Sequence, residues 1–399
     1  MVRPTTIAAS LERAAESCPH CACKDFVKRG IRRNKLQIVQ LYKCGNLACG
    51  RTFTSRTIKG KQFPWPVVLD AISYHNLGYT FEEIPKILEA KRNMSPQPDT
   101  VAKWYEEYKP LCRFERLRPY AMNILAAWRR QNRDIRFDMV ETTTLAHRQL
   151  YRFRYHRPKL ILMLEEYRNR NFGRLTDYLD SVSTETPHQY FSEGQRMSEI
   201  RSRFDKAEMI VKGKTNFATR LAKFVLQAVP ENKERHEMLQ RFMIANDSVT
   251  VATEVPVFIR KEDIEHMEQA LKFQIVGEEG VVLKPRAERR REEGKLPRLL
   301  TGHIDLVQVR NGQVHVLDYK PKAAKERPIE QLTWYALALS RLTGLRLYEF
   351  KCAWFDENDY FEFYPLHVVK KLQRKRQRNV RYKDGSVARI PTKNVLTVV

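Results

Sequence analysis

Two carboxylates and a lysine come together in the stretch from Thr301 to Pro321, which reads TGHIDLVQVRNGQVHVLDYKP. Two apolar-rich runs flank Asn311-Gly312 in this stretch. Asn-Gly between such runs predicts a β-hairpin, because both turn residues tolerate positive φ. A two-residue loop pairs Arg310 with Gln313 and so fixes the register of the whole hairpin.

This register predicts that Asp305 lies opposite Asp318 and that His303 lies opposite Lys320. Opposed residues have Cβ atoms about 5 Å apart, and strand alternation puts all four side chains on one face. Two carboxylates at this distance repel each other, and a divalent cation relieves the repulsion. The hairpin therefore predicts a metal-dependent active site.

The composition indicates a polyanionic partner. The chain has 399 residues, 42% of them hydrophobic, and a formal net charge of +25. This charge favours nucleic acid first and an anionic membrane surface second. No apolar run is long enough to cross a bilayer, the nearest being Leu160 to Leu164, and the N-terminus lacks the apolar core of a signal peptide. We expect a multidomain α/β protein that is soluble, cytoplasmic and nucleoid-associated, with DNA as its partner.

Five of the seven cysteines lie between positions 18 and 49. The pairs Cys18/Cys21 and Cys44/Cys49 have the spacing of two knuckles that bind a structural Zn²⁺ through four thiolates. Cys23 either replaces Cys21 or stays free, and a redox cluster is the alternative interpretation. The segment between the knuckles is strand-like and basic, so residues 1–60 are predicted to form a zinc ribbon whose hairpin binds nucleic acid through Arg32 and Arg33.

Three helices are predicted in residues 61–112. The first covers Val67 to Asn76. A capping box between Thr80 and Glu83 starts the second, and Asp99 is expected to cap a third helix from Thr100 to Tyr108 that exposes Lys103. This order is typical of a helix-turn-helix unit that binds DNA, and a small helical spacer is the alternative.

A zinc ribbon followed by these helices resembles the N-terminal DNA-binding region of insertion-sequence transposases. The residues that carry the resemblance are the four knuckle cysteines, Cys49-Gly-Arg-Thr-Phe53 and the segment 77–84 (LGYTFEEI). It covers the first quarter of the chain. It implies recognition of DNA ends or of a specific site, with recombination or transposition subunits as further partners.

Residues 113–204 are predicted to form a middle domain. Arginines and aromatic residues alternate from Tyr151 to Arg157, which suits a strand near phosphates and bases. A transposase would begin a ribonuclease-H-like core here, but the candidate acids, Asp138, Glu141, Asp177 and Asp180, form no convincing pattern. A degenerate, catalytically inactive remnant of such a core is the interpretation that we carry forward.

The C-terminal part, residues 205–366, is predicted to run helix, strand, hairpin, helix. Two helices broken at Pro230 precede a strand from Thr250 to Ile259, and a helix from Pro328 to Leu342 follows the hairpin. This order resembles the PD-(D/E)XK superfamily, which has a restriction-endonuclease-like α/β/α core, and in particular its RecB-type exonuclease branch. The resemblance is carried by Gly302-His-Ile-Asp305, Asp318-Tyr-Lys320 and Gln331-Leu-Thr-Trp-Tyr335.

The resemblance implies a role for each matched residue. Asp305 and Asp318 would bind Mg²⁺ or Mn²⁺, and Lys320 would orient the attacking water and stabilise the charge of the phosphorane. Gln331 and Tyr335 would support the site and the DNA. The branch usually adds a histidine ligand, for which the two candidates are His236 and His303.

Other features refine this expectation. Relatives that bind an iron–sulfur cluster have three cysteines after the core, whereas this chain has only Cys352, so we expect no such cluster. Basic residues in a loop and in a C-terminal tail (367–399) are expected to contact phosphates: Arg289, Arg290, Lys370, Lys371 and Arg374. The alternative functions are a transposase with its chemistry in the middle domain and a non-enzymatic, sequence-specific DNA-binding protein.

Overall fold

The computed structural model describes residues 17–18, 20–33, 38–54, 63–131, 138–167, 172–201, 204, 210–213, 216–229, 232–271, 282–283, 298–369, 377–381 and 387–391. These residues form a mixed α/β protein with twelve α-helices and one large mixed sheet. No helix among them is both long enough and apolar enough to cross a membrane.

The N-terminal residues form a three-stranded antiparallel sheet. Its strands are β1 (Phe26–Arg33), β2 (Ile38–Cys44) and β3 (Thr52–Thr54), in the order β1-β2-β3. The rings of Phe26, Tyr42 and Phe53 pack with centroids 5.3–5.6 Å apart. Cys18 and Cys44 are buried in the same small cluster. This cluster has few apolar residues and is a small core. A bound metal would add to its stability.

Four helices follow the ribbon: α1 (Trp65–Asn76), α2 (Glu83–Arg92), α3 (Pro98–Cys112) and α4 (Arg118–Gln131). The predicted capping box is present, since Thr80 N donates to Glu83 Oε2 (2.8 Å) and Glu83 N donates to Thr80 Oγ1 (3.3 Å). The expectation for Asp99 was wrong. Helix α3 begins at Pro98, whose fixed φ suits the first helical position, so Asp99 lies inside the first turn and caps nothing.

The remaining helices are α5 (Arg157–Tyr167), α6 (Gly173–Glu185), α7 (His188–Glu193), α8 (Phe217–Val225), α9 (Asn232–Asn246), α10 (Lys261–Gln269), α11 (Ile329–Thr343) and α12 (Pro365–Val369). The remaining strands are β4 (Glu141–His147), β5 (Gln149–Tyr155), β6 (Gln195–Arg196), β7 (Ile200–Arg201), β8 (Val211–Gly213), β9 (Thr250–Arg260), β10 (Val282–Leu283), β11 (Leu299–Arg310), β12 (Gln313–Tyr319), β13 (Phe350–Phe355), β14 (Tyr360–Phe363), β15 (Gln377–Arg381) and β16 (Val387–Pro391). Strands β15 and β16 pair as a hairpin inside the segment that was predicted to be a basic tail.

A nine-stranded sheet with helices on both faces positions the site. Its order is β4-β5-β9-β11-β12-β13-β14-β8, and β6 pairs with β11. Strands β12 and β13 are parallel and are joined by the crossover helix α11, as parallel neighbours require. Apolar residues of α6 and α11 pack on one face, and those of α1–α3, α8 and α9 pack on the other. Helices therefore cover both faces of the sheet.

The structure does not separate the predicted middle domain from the predicted nuclease domain. Strand β5 pairs with β9 through Arg154↔Thr253 and Tyr155↔Ala252, so β4 and β5 extend the large sheet. Phe153 and Tyr155 are buried in the same core as the apolar residues of β9. The boundary that was predicted at residue 204 therefore falls inside one packed unit.

Two of the candidate acids of the middle segment, Asp180 and Glu141, feel the charge of Arg157. Arg157 donates to Asp180 Oδ2 (2.7 Å). Burial raises the pKa of Glu141. The charge of Arg157 opposes this rise, and the charges of Asp180 and Asp138 add to it. Among the described residues, these acids do not form a group with ligand atoms close enough to share a metal ion.

The predicted helix-turn-helix segment also packs on this unit. Trp65 Nε1 donates to Phe224 O (2.9 Å), Asn76 Nδ2 donates to Asn246 Oδ1 (2.8 Å) and Asn246 Nδ2 donates to Ser73 Oγ (2.8 Å). These groups are buried, where an unpaired polar atom costs free energy, so the three bonds select one docking geometry. Helix α1 is consequently held against α8 and α9.

Candidate active site

The β11–β12 hairpin has the predicted turn and register. Asn311 and Gly312 both have positive φ, of 52° and 69°. The ladder runs from Arg310↔Gln313 to Leu306↔Leu317. This local prediction is confirmed, because the turn residues alone determine which residues face each other.

Extending this register by one residue places Asp305 beside Asp318. Tyr319 N donates to Asp305 Oδ2 (3.2 Å), and Lys320 Nζ lies 2.7 Å from Asp318 Oδ2. The backbone of Lys320 is held in turn, since its N donates to Phe355 O (2.9 Å) on β13. Two carboxylates and one ammonium group are therefore fixed at the end of the hairpin.

His236 reaches this site from helix α9. Its Nδ1 lies 3.3 Å from Asp305 Oδ2, and its ring packs edge-on against Tyr319 with centroids 5.0 Å apart. The sequence left His236 and His303 as equal candidates for a place beside the carboxylates. The structure brings His236 to Asp305.

His303 lies in a different environment. Its Nε2 is 2.8 Å from His147 Nδ1, and its ring stacks on Tyr151 with centroids 3.5 Å apart. Burial, with the charges of His147 and Arg196, lowers the pKa of His303 well below its usual value. The pairing of β11 with β12 ends at Leu306↔Leu317, and His303 and Lys320 lie outside it.

The sequence did not identify Glu254 as a site residue. It lies on β9 across from Asp305, between the pairs Ile304↔Val255 and Leu306↔Thr253. Its φ is +52°, a conformation that is unfavourable for a side chain with a Cβ and that concentrates at functional sites. Gln240 Nε2 on α9 donates to Glu254 Oε1 (2.6 Å). The only sequence signal was a lone acid in an otherwise apolar and β-branched strand.

Helix α11 closes the other side of the site. Gln331 Nε2 donates to Tyr335 Oη (2.8 Å), as the four-residue spacing predicts for one helix face. The Tyr335 ring lies so close to β11 that a Cβ on Gly302 would be 2.4 Å from Tyr335 Cε1. Gly302 therefore has a steric role, and this explains the glycine in the Gly302–Asp305 segment.

The two hairpin carboxylates ionise very differently. Burial, together with the charge of Asp305, raises the pKa of Asp318 to about 8. Burial acts on Asp305 in the same direction, but the hydrogen bond and charge of His236 outweigh it and lower the pKa of Asp305 to about 2. One negative charge is thus stabilised, and the second is opposed by the first.

The groups around the two hairpin carboxylates also have shifted pKa values. Burial and the charge of Asp305 raise the pKa of Glu254 to about 8. Burial opposes the charged forms of His236 and Lys320, yet the neighbouring carboxylates outweigh it and raise both pKa values. Three close carboxylates, two of them with raised pKa values, indicate a site that binds an additional cation.

A comparison with known families agrees with this geometry. Residues 173–380, just over half of the 399-residue chain, match the family described as the PD-(D/E)XK nuclease superfamily. The chain belongs to the PD-(D/E)XK nuclease superfamily. Searches of curated proteins and of solved structures gave no match. The matched region contains His236, Glu254, Asp305, Asp318, Lys320, Gln331 and Tyr335, whereas β4 and β5 lie before it.

PD-(D/E)XK nucleases use divalent metals, and the donor set here fits one. Oxygen atoms of carboxylates suit Mg²⁺ and Mn²⁺, and an imidazole suits Mn²⁺ as well. Asp305, Asp318 and Glu254 offer the carboxylates, and His236 offers Nδ1. Their ligand atoms do not all lie within 4.8 Å of one another. Lys320 lies against Asp318, and His236 lies against Asp305.

A second candidate metal site lies in the ribbon of this PD-(D/E)XK protein. The thiols of Cys18, Cys21, Cys44 and Cys49 all lie within 4.8 Å of one another, with Sγ–Sγ distances of 3.8 Å (18–49) and 3.5 Å (21–44). Four Zn–S bonds of about 2.3 Å in a tetrahedron separate the sulfurs by about 3.8 Å. Cys23 is outside this group and contacts Asp25 instead. The four-cysteine cluster is therefore compatible with Zn²⁺.

The residues predicted to bind nucleic acid are only partly described. Arg32 and Arg33 lie on β1, and Lys103 is exposed on α3. The others lie outside the described residues: Arg289, Arg290, Lys370, Lys371 and Arg374.

Proposed function

We propose that this PD-(D/E)XK protein is a RecB-type deoxyribonuclease whose Mg²⁺ or Mn²⁺ is held by Asp305, Asp318 and His236. The observation that carries the proposal is the contact between His236 Nδ1 and Asp305 Oδ2. The resemblance to the RecB-type branch implies a histidine ligand, and His236 on α9 is placed to supply it. Glu254 adds a further carboxylate to the same cavity.

The reaction is hydrolysis of a phosphodiester. When bound, the metal would lower the pKa of a water molecule and neutralise charge on the phosphoryl oxygens. The water oxygen gives up a proton and bonds to phosphorus, the ester P–O bond breaks, and the leaving oxygen takes up a proton. Lys320 stays protonated, because Asp318 raises its pKa, so its Nζ orients the water and stabilises the negative charge that develops on a nonbridging oxygen.

Helix α11 keeps the site in position. Gln331 and Tyr335 form a hydrogen-bonded pair beside Asp305, and both line the cavity. We propose that they fix the substrate phosphate relative to the metal. A displacement of about 1 Å at this point is enough to slow a reaction about 100-fold.

The N-terminal region is proposed to bring the nuclease to its DNA. Basic side chains on the exposed ribbon hairpin and on α3, represented by Arg32 and Lys103, would contact phosphates. The resemblance to transposases then suggests a factor that processes DNA ends for a mobile element or a virus, in the cytoplasm and with other recombination subunits.

The nuclease proposal is tested on the purified full-length chain with single-stranded, duplex and branched DNA in Mg²⁺ or Mn²⁺. Asp305→Ala, Asp318→Ala and Lys320→Ala are each expected to abolish cleavage. Full activity in all three variants would overturn the proposal. Sequence-specific binding without cleavage of any DNA form would favour the alternative of a non-enzymatic DNA-binding protein.

The matched controls lie on α10, away from the hairpin. Glu262 is exposed there, and Lys261 is half-buried. Glu262→Ala and Lys261→Ala remove the same charges as the test variants and are expected to leave cleavage within about twofold of the wild type, as surface substitutions usually do.

A further inference from the structure

Asp305 lies beside a cavity that extends beyond the candidate metal site. Its volume is about 280 Å³. His236, Glu254 and Asp305 line one end, while Tyr151, Arg196 and His303 line the other. The second end has no part in the metal chemistry described above. It is formed by β5, β6 and the start of β11, and β5 lies outside the region matched to the superfamily.

The second end contains an aromatic platform. The rings of Tyr151 and His303 are nearly parallel, at 8°, with centroids 3.5 Å apart. Gln149 Nε2 donates to Tyr151 Oη (2.7 Å), which fixes the edge of the platform. Stacked rings present a flat apolar surface, and nucleobases bind to such surfaces in single-stranded nucleic acid.

A row of histidines holds this platform in place. His147 Nδ1 lies 2.8 Å from His303 Nε2, and His147 Nε2 lies 2.8 Å from His188 Nδ1. His147 is buried and stacks on Phe191, with centroids 4.0 Å apart. The two nitrogens of His147 point in opposite directions, so the row cannot converge on a metal ion. Its geometry instead orients the His303 ring.

The platform also has a positive charge beside it. Arg196 lies on β6, which pairs in parallel with β11 through Thr301↔Arg196. Within the described part of the chain Arg196 has no ion-pair partner, whereas the neighbouring Arg148 donates to Ser192 O (3.0 Å) and Gly194 O (2.7 Å) and so anchors the β4–β5 turn. A guanidinium that lines the same cavity as a stacking surface suits the phosphate of a bound nucleotide.

We propose that this end of the cavity binds one unpaired nucleotide directly beside the scissile phosphate, with its base against the Tyr151–His303 platform and its phosphate on Arg196. The proposal rests on the proposed function and adds a substrate class to it, which is single-stranded DNA or a frayed end. A cavity of about 280 Å³ is at the lower limit of ligand pockets and is too small for a base pair. The substrate strand must therefore leave its duplex before cleavage.

The test uses binding, so that it does not depend on cleavage. A single-stranded oligodeoxynucleotide carries 2-aminopurine at one position at a time, and fluorescence is measured with the full-length protein in Ca²⁺. Stacking on the platform is expected to quench one position only. Tyr151→Leu is expected to abolish this quenching and to weaken binding about 5- to 100-fold, whereas Tyr151→Phe keeps both, because the ring remains.

The matched control is Leu150→Ala, since Leu150 is 74% exposed and precedes Tyr151 on the same strand. It is expected to bind like the wild type. An abasic nucleotide at the quenched position tests the proposal without any protein variant and is expected to weaken wild-type binding to the same extent as Tyr151→Leu. Equal quenching at all positions, or unchanged binding of the abasic strand, would overturn the proposed nucleotide pocket. Normal quenching by a protein that never cleaves DNA would overturn only the proposed nuclease activity.

Discussion

His236 Nδ1 lies 3.3 Å from Asp305 Oδ2, although the two residues belong to different elements, α9 and β11. The contact exists because α9 packs across the sheet at the end of the hairpin. It gives Asp305 a partner that favours its charged form, while the His236 ring packs edge-on against Tyr319. A metal bound by Asp305 would find the His236 nitrogen within reach after a small rotation of either side chain.

The first prediction follows from this contact. His236→Ala is expected to weaken the apparent affinity for Mn²⁺ at least about tenfold and to slow cleavage about 100-fold, because a nitrogen donor beside the metal is lost. The measurement is single-turnover cleavage as a function of Mn²⁺ concentration. His367→Ala is the control, since His367 is exposed on α12. An unchanged Mn²⁺ dependence in His236→Ala would remove His236 from the metal site.

The second prediction concerns the metal-free protein, which is expected to lose stability as pH rises from 6 to 8. Folding raises the pKa of Asp318 and of Glu254 to about 8, from ordinary values of 3.8 and 4.5. Between these limits the folded state retains protons that the unfolded state has released, so each pH unit costs up to about 1.4 kcal/mol per group. His236, whose pKa is also raised, acts in the same direction.

Thermal unfolding in EDTA at pH 6, 7 and 8 measures this loss. Excess Mn²⁺ is expected to remove the slope, because the cation replaces the retained protons and binds the folded state only. The double variant Asp318→Asn/Glu254→Gln should also flatten it. A melting temperature that is constant or rises between pH 6 and 8 in EDTA would contradict the electrostatics that we describe.

The third prediction separates the backbone strain at Glu254 from the contribution of its carboxylate. Glu254→Gly is expected to stabilise the metal-free protein at pH 8 by about 1–2 kcal/mol, because glycine accepts a φ of +52° without strain. The same variant is expected to cleave DNA at least about tenfold more slowly, since a carboxylate leaves the cavity. Glu254→Gln keeps the strained backbone and loses the charge, so it should share the loss of activity without the full gain in stability. Loss of stability in Glu254→Gly would show that the hydrogen bond from Gln240 outweighs the strain.

The fourth prediction concerns the ribbon. The purified chain is expected to contain one Zn²⁺, and Cys44→Ser is expected to lose it, because three thiolates cannot close a tetrahedral site. Cys23→Ser is the matched control and should retain the metal, since Cys23 lies outside the four-cysteine group. Elemental analysis of both variants decides the matter. The ribbon cluster is separate from the nuclease core, so Cys44→Ser should still cleave short DNA.

Local features of the site could be predicted from the sequence, and contacts across the fold could not. The Asn311-Gly312 turn and the Gln331/Tyr335 spacing depend on neighbouring residues, and both are found. The choice between His236 and His303 depends on how α9 packs on the sheet. The pattern of apolar residues in the sequence does not predict this packing. The sequence pattern of β4 and β5 is the same whether they form an isolated hairpin or extend a large sheet. The sequence therefore placed them in a separate domain.

The last prediction tests the close packing of Gly302 against Tyr335. A Cβ at Gly302 would lie 2.4 Å from Tyr335 Cε1, and the ring is buried, so Gly302→Ala must displace it. We expect the free energy of unfolding to fall by about 1–3 kcal/mol, the usual cost of overpacking. We also expect the cleavage rate to fall by a larger fraction than the free energy of unfolding. Gly173→Ala is the control, because its Cβ meets nothing within 4 Å. If Gly302→Ala is as active and as stable as Gly173→Ala, then the Tyr335 ring is free to move, and Gln331 and Tyr335 do not hold the phosphate as we propose.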